Sequence, residues 1–263
     1  MPGKTNTPPA RKSAKPAATR MTLAETMSAL KKAGTAQTRK SYARHGAAEP
    51  MFGVSFATLK TLLKRIGVDH ELALALWDTG NFDARNLAVK IADPARMSPA
   101  DLDRWARVPS ARMCSGYVAH LAAEGPHARS RSDAWLAAPD EARRCAGWSL
   151  VGAMAMRDAD APDAWFVERL AEIETSIQAS PNAQRETMLH ALIAIGCRSA
   201  ALRRSVTASA KRIGKVSIDH GDTACKTPEA APTLEKAWAH STSKGFESPA
   251  AQERTRESLR TRC

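Results

Sequence analysis

The chain has 263 residues, with 39 Lys and Arg against 27 Asp and Glu, a formal charge of +12 and a pI near 9.8. Hydrophobic residues make up 43%, enough for a real core, yet no apolar run approaches the roughly 20 residues that span a bilayer and β-branched alternation is scarce. These figures exclude a membrane-spanning chain and a sheet-rich one, and favour an all-α protein with a polyanionic partner, nucleic acid ahead of membrane surface.

Residues 1–20 contribute +5 without a single acid and are rich in Pro, Lys, Ala and Thr. They read as a disordered basic arm that adds non-specific attraction to phosphate. Residues 241–263 contribute +2 and read as a solvated, disordered tail, so +5 remains on the body between.

Helical text begins at Thr22, where Thr22 and Glu25 have capping-box spacing, and Leu23, Met27 and Leu30 form the apolar face up to Gly34. A basic helix over 35–45 carries Lys40 and Arg44. The turn GAAEPMFGVS leads to a helix over 56–66, with Leu59, Leu62, Leu63 and Ile66 inward and Lys60, Lys64 and Arg65 outward. The stretch LALALWDTGNFDARNLAVKIADP at 72–94 is a helical hairpin. Leu72, Leu76 and Trp77 make one apolar side, Thr79-Gly80-Asn81 breaks the chain, and Leu87, Ala88 and Ile91 make the next, with Asp83, Arg85 and Lys90 between them. Neither half buries its apolar face alone, so each needs a neighbouring pair.

Ser98-Pro99 opens a further helix through Trp105. Helices follow near 111–123, around Trp135-Leu136, and over 140–156, the last interrupted by Arg143 and Arg144. Segments 163–179, 184–195 and 200–213 complete a series of helical pairs of roughly 35–45 residues each, the dimensions of HEAT-type repeats. The expected fold is therefore an all-α superhelix over 21–213. An extension over 214–240 follows, with a short helix near 234–239.

The extension holds the polar run Asp219-His220-Gly221-Asp222 with Cys225. Zinc needs four ligands at tight spacing, and no second Cys/His pair accompanies this one, so a turn is the expected structure and no metal is expected. The five cysteines contain no CxxC pair, and three lie in apolar helical text as small hydrophobes. With no signal-peptide core visible, a reducing cytoplasmic address is expected, nucleoid-associated when DNA is bound.

The segments MFGVSFATLKTLLKRIG at 51–67 and LWDTGNFDARNLAVKIADP at 76–94, with the helix spacing out to about residue 213, resemble the HEAT-like DNA glycosylases of the alkylpurine DNA alkylation repair family. That resemblance implies a C-shaped stack whose basic concave face holds double-stranded DNA. It implies cofactor-free release of N3- or N7-alkylated purines, with a carboxylate stabilising an oxocarbenium-like centre and aromatic faces cradling the cationic base. A monomer is expected. The family's active helix carries a Trp and an Asp four residues apart, and those positions fall on Ala111 and Ser115 here. A family Arg falls on Arg144, and a third cleft aromatic on His190.

The resemblance therefore implies DNA binding more strongly than hydrolysis. Expected phosphate contacts are Arg144, Arg143, Lys40, Arg44, Lys64, Arg65 and Arg112. Expected cleft-lining residues are Trp148, Tyr117, His190 and Ser115. The alternative is a non-catalytic helical scaffold that binds DNA or a protein partner along its groove.

Overall fold

The computed structural model describes residues 20–108 and 112–262, with the side chains of 112–115 outside that description. The predicted basic arm therefore lies outside the described residues apart from Arg20, which sits 3.5 Å from Asp69. Among the described residues the chain forms fifteen α-helices, two short 3-10 turns and no strand. They are α1 (Leu23–Ala33), α2 (Ala36–Arg44), α3 (Phe56–Ile66), α4 (His70–Asp78), α5 (Phe82–Ile91), α6 (Pro99–Ala106), α7 (Arg112–Ala123) and α8 (Ala128–Leu136). Then come α9 (Glu141–Arg157), α10 (Asp163–Ser176), α11 (Asn182–Gly196), α12 (Ala200–Ile213), α13 (Ala230–Ser243), α14 (Pro249–Arg254) and α15 (Leu259–Arg262).

Local chemistry sets the boundaries. Thr22 and Glu25 form the capping box, Thr22 N–H donating to the Glu25 carboxylate at 2.8 Å and Glu25 N–H to the Thr22 hydroxyl at 3.2 Å. Asn81 and Ser98 cap α5 and α6 in the same manner, each accepting the N–H three residues on at 3.1 Å. Gly80, at φ +70°, turns the chain between α4 and α5 in a conformation that side chains disfavour.

The pairs α4/α5, α6/α7, α8/α9 and α10/α11 pack as hairpins, and α3, α5, α7, α9 and α11 pack side by side as an inner row. Helices α4, α6, α8 and α10 form the outer row. This is the two-layered superhelix that the spacing predicts.

Tryptophans mark the outer row at intervals of 28 to 30 residues: Trp77, Trp105, Trp135 and Trp165, on α4, α6, α8 and α10. The rings of Trp77 and Trp105 stack 4.2 Å apart and 6° from parallel. Trp135 is enclosed and donates Nε1–H to Asp103 at 2.7 Å, while Trp165 has the guanidinium groups of Arg129 and Arg169 within 4.3 and 5.4 Å of its ring centroid. At about 25 cal/mol per Å² over the roughly 200 Å² that an indole presents, each such burial supplies on the order of 5 kcal/mol of transfer free energy.

Two charged residues of α5 are enclosed. Asp83, 0% exposed, accepts the backbone N–H groups of Phe52, Gly53 and Val54 at 2.6, 3.0 and 2.7 Å. Its carboxylate thereby organises the turn before α3, where a Cβ on Gly53 would stand 2.5 Å from the Thr35 carbonyl oxygen. Lys90, 1% exposed, lies over the Tyr117 ring at 4.5 Å and donates Nζ–H to the Arg260 carbonyl at 2.7 Å.

The C-terminal expectation is corrected. Residues 230–243 form one helix, longer than the short segment expected at 234–239. The predicted solvated tail is ordered through Arg262: α14 packs on α9, and α15 on α7, α5 and α3. The strap they form holds mainly through polar atoms, which is why apolar periodicity misses it. Ala250 N–H donates to the Cys197 carbonyl at 3.1 Å, Ser241 to Gln252 at 2.9 Å, and Lys60 Nζ to the Arg262 carbonyl at 3.1 Å.

Replacing Asp83 by Ala strands three amides and should cost about 3 kcal/mol or more, read as a lower urea midpoint. Asp78→Ala, which breaks an exposed pair with Arg104, should cost less than about 1 kcal/mol in the same titration.

Candidate nucleic-acid groove

The inner row and the strap together line a half-open pocket of about 410 Å³. Gly116 and His120 come from α7. Trp148, Ser149, Gly152, Ala153 and Met156 come from α9, and His190, Ala191 and Ala194 from α11. Small residues let the helices approach: a Cβ on Gly152 would lie 3.5 Å from the Ala191 Cα and 3.6 Å from the Ala194 Cβ. Gly116 differs, because a Cβ there would meet no atom within 4 Å.

The strap closes the side of the cavity nearest the C-terminal ends of the inner helices. Arg157 donates Nη1–H to the Glu253 and Arg256 carbonyls at 3.2 and 3.4 Å. Arg262 forks onto the Glu253 carboxylate at 3.1 and 2.8 Å. Arg260, 5% exposed, donates to the carbonyls of Val89 and Lys90 at 2.9 Å and to the Glu124 carboxylate at 2.8 Å, and Ser258 also bonds Glu124. Arg157 of the inner row, like Lys60 and Lys90, is thus bound to strap oxygens.

His120 faces this arrangement. Burial, then Arg157, Arg262 and Arg260, lower its pKa from 6.5 to about 4, so the imidazole is neutral at pH 7. Its Nδ1 finds no hydrogen-bond partner among the described residues.

The predicted residues separate into groups. Trp148 and His190 both line this pocket, Trp148 buried and His190 exposed. Tyr117, expected in the cleft, is instead buried beneath Lys90, because the enclosed ammonium needs its ring face. Lys40 and Arg44 on α2 and Lys64 and Arg65 on α3 are exposed, and among the described residues none is in an ion pair. Arg143 bonds Asp140 at 2.6 Å at the start of α9. Arg144 donates Nη1–H to the Ala138 and Pro139 carbonyls at 2.9 and 2.7 Å and Nε–H to Gln184 at 3.0 Å, tying the α8–α9 turn to α11. Arg112 and Ser115 lie in α7 with side chains outside the description, and Ala111 lies outside the described residues. Asp101 and Asp103, the carboxylates nearest in sequence, sit on outer helix α6 and are taken by Ser98 and Arg104, and by Trp135 and Arg131.

The segment 219–225 folds as a turn. Asp219 accepts the Gly221 N–H at 2.8 Å, Asn182 brackets the Asp219 backbone with two bonds of 2.8 Å, and His220 pairs with Thr227 at 3.0 Å. Among the described residues no group of three His, Cys, Asp or Glu lies together as a metal site, and none of the helices is long and apolar enough to cross a membrane. Cys145 and Cys197 are buried, which pushes both thiols up to about 11. What sequence reasoning missed is the strap. The visible signal was the set of Ser-Pro and Arg-Glu spacings after residue 244, which lack an apolar stripe.

A two-layered stack of helical pairs of this kind defines the α-solenoid class, and comparison with known proteins narrows it. The profile of the DNA alkylation repair enzyme family matches residues 26–212, and the chain belongs to that family. Uncharacterised proteins of Listeria monocytogenes and Listeria innocua are each 24% identical to it, over 214 and 207 residues, covering 76% of this chain and 90% of the relative in both cases. A solved structure superposes with a TM-score of 0.77 at 29% identity, covering 87% of this chain and 98% of its own. It is described as one of a new family of proteins related to the HEAT-like repeat DNA glycosylases, with affinity for branched DNA structures.

With His120 titrating near 4 in the folded state and near 6.5 in the unfolded state, the unfolded chain binds the extra proton between those values. Stability should fall as pH drops from 6.5 to 4, by on the order of 3 kcal/mol from this group. His120→Gln should flatten that part of a stability–pH profile measured by urea unfolding.

Proposed function

We propose that the protein binds DNA along the inner groove, prefers branched over linear duplexes, and does not excise bases. The solved relative carries the reading: its similarity extends over nearly the whole described chain, and its described affinity is for branched DNA. The exposed Lys40, Arg44, Lys64 and Arg65, with Arg112, act as phosphate contacts, which need charge placement rather than a motif. Arg143 and Arg144 contribute less, since their donors are already committed to Asp140 and to the α8–α9 turn. The absence of excision follows from Ala111 and Ser115, which offer neither a π face for a cationic base nor a carboxylate for an oxocarbenium-like centre.

A four-way junction and a linear duplex of equal length, titrated at several salt concentrations, test this directly. Tighter binding to the junction, with log K falling linearly against log salt, is expected. Equal affinities, or binding that ignores salt, would reject it. A Lys64→Gln/Arg65→Gln double variant should weaken every DNA alike and lessen the salt slope by about 2. DNA carrying 7-methylguanine should lose base no faster with the protein than without it, and release above that background would restore the excision reading.

A further inference from the structure

The cavity under the strap has properties that binding to a phosphate backbone leaves unused. Its cationic wall is already neutralised, because Arg157 and Arg262 are bound to Glu253 and to strap carbonyls. A phosphate would have to displace those partners. Its floor is made of residues without bulk, and the space beside Gly116 is open where any other residue would fill it. Its polar groups are those that read a neutral planar molecule: the imidazole edge of His120, the Ser149 hydroxyl, and the exposed ring of His190. At about 410 Å³ the space falls within the range of small-ligand sites.

We propose that this cavity receives one unpaired nucleobase from branched DNA, its face against the Gly116–Gly152 floor and its edge toward His120 and Ser149. The inference rests on the DNA-binding reading above and adds what a linear duplex does not supply. A base at a branch point has already lost its pairing and part of its stacking, so moving it into a pocket costs least there. Neutral His120 accepts or donates one hydrogen bond at the base edge, and stacking of the outer base face on the exposed His190 ring tolerates any base. The site would therefore recognise unpairedness rather than sequence.

The test compares two junctions of identical arms, one fully paired and one carrying a single unpaired 2-aminopurine at the branch. The wild-type protein should bind the second roughly tenfold tighter, the range that stacking one base supplies. The bound 2-aminopurine should lose its accessibility to acrylamide quenching. Gly116→Leu, which fills open space on a helix face, should erase the preference at an unaltered melting temperature. Equal affinity for the two junctions in the wild type, or a 2-aminopurine that stays open to acrylamide, would overturn the pocket while leaving junction binding standing. Retention of the preference in a folded Gly116→Leu protein would also overturn it. Binding to neither junction would remove the DNA-binding reading and the pocket together. The quenching measurement decides the matter without any variant, should Gly116→Leu fail to fold.

Discussion

Arg260 is the interaction on which the groove depends. An α-helix ends with carbonyl groups that have no partner within the helix, and at α5 those of Val89 and Lys90 point into protein rather than water. The guanidinium from the far end of the chain satisfies them, Glu124 balances its charge, and Lys90 returns a hydrogen bond to the Arg260 carbonyl. Each charge in this set is enclosed or nearly so, and each would be left without compensation if a partner were lost. The exchange fixes where the strap lies. It thereby decides that one wall of the groove is made of chain rather than open to solvent.

That wall redistributes charge. In a bare helical stack, Lys60, Lys90 and Arg157 would be open to an incoming phosphate backbone. Here their ammonium and guanidinium groups are spent on carbonyl oxygens of the strap, whereas Lys40, Arg44, Lys64 and Arg65 on α2 and α3 stay exposed.

Much of the fold was legible before any coordinates. The segments 56–66 and 200–213 are helices at the predicted limits, and the capping roles of Thr22 and Ser98 are as the spacing implies, because helix ends obey short-range hydrogen-bond rules. The strap was not legible: Ser248, Gln252 and Arg260 are polar residues buried by pairing, and hydropathy reads such residues as solvent-facing. For the same reason nothing in the text marked Asp83 and Lys90, set between the apolar positions of the hairpin, as enclosed. The tryptophan spacing on the outer row was in plain text, yet an apolar-stripe search dilutes one large residue per repeat among many alanines. Of the groove, the resemblance singled out His190, and Trp148 stood out only as an aromatic close to Arg144 in helical text. The partners of Arg144 and Tyr117, the 138–139 carbonyls and Lys90, are set by tertiary packing and do not show in the sequence.

A linear stack of repeats has only neighbour-to-neighbour contacts, so its ends fray independently and its stability is a sum of local parts. The strap abolishes that independence. Hydrogen bonds joining Lys60 to Arg262 and Lys90 to Arg260 connect residues 202 and 170 positions apart, which turns an open spring into a closed frame. Such a frame resists opening until both ends let go together, and its last contacts wait on the whole chain having been made and brought round. The curvature of the hollow is consequently a property of the molecule as a unit, held from end to end rather than accumulated one repeat at a time.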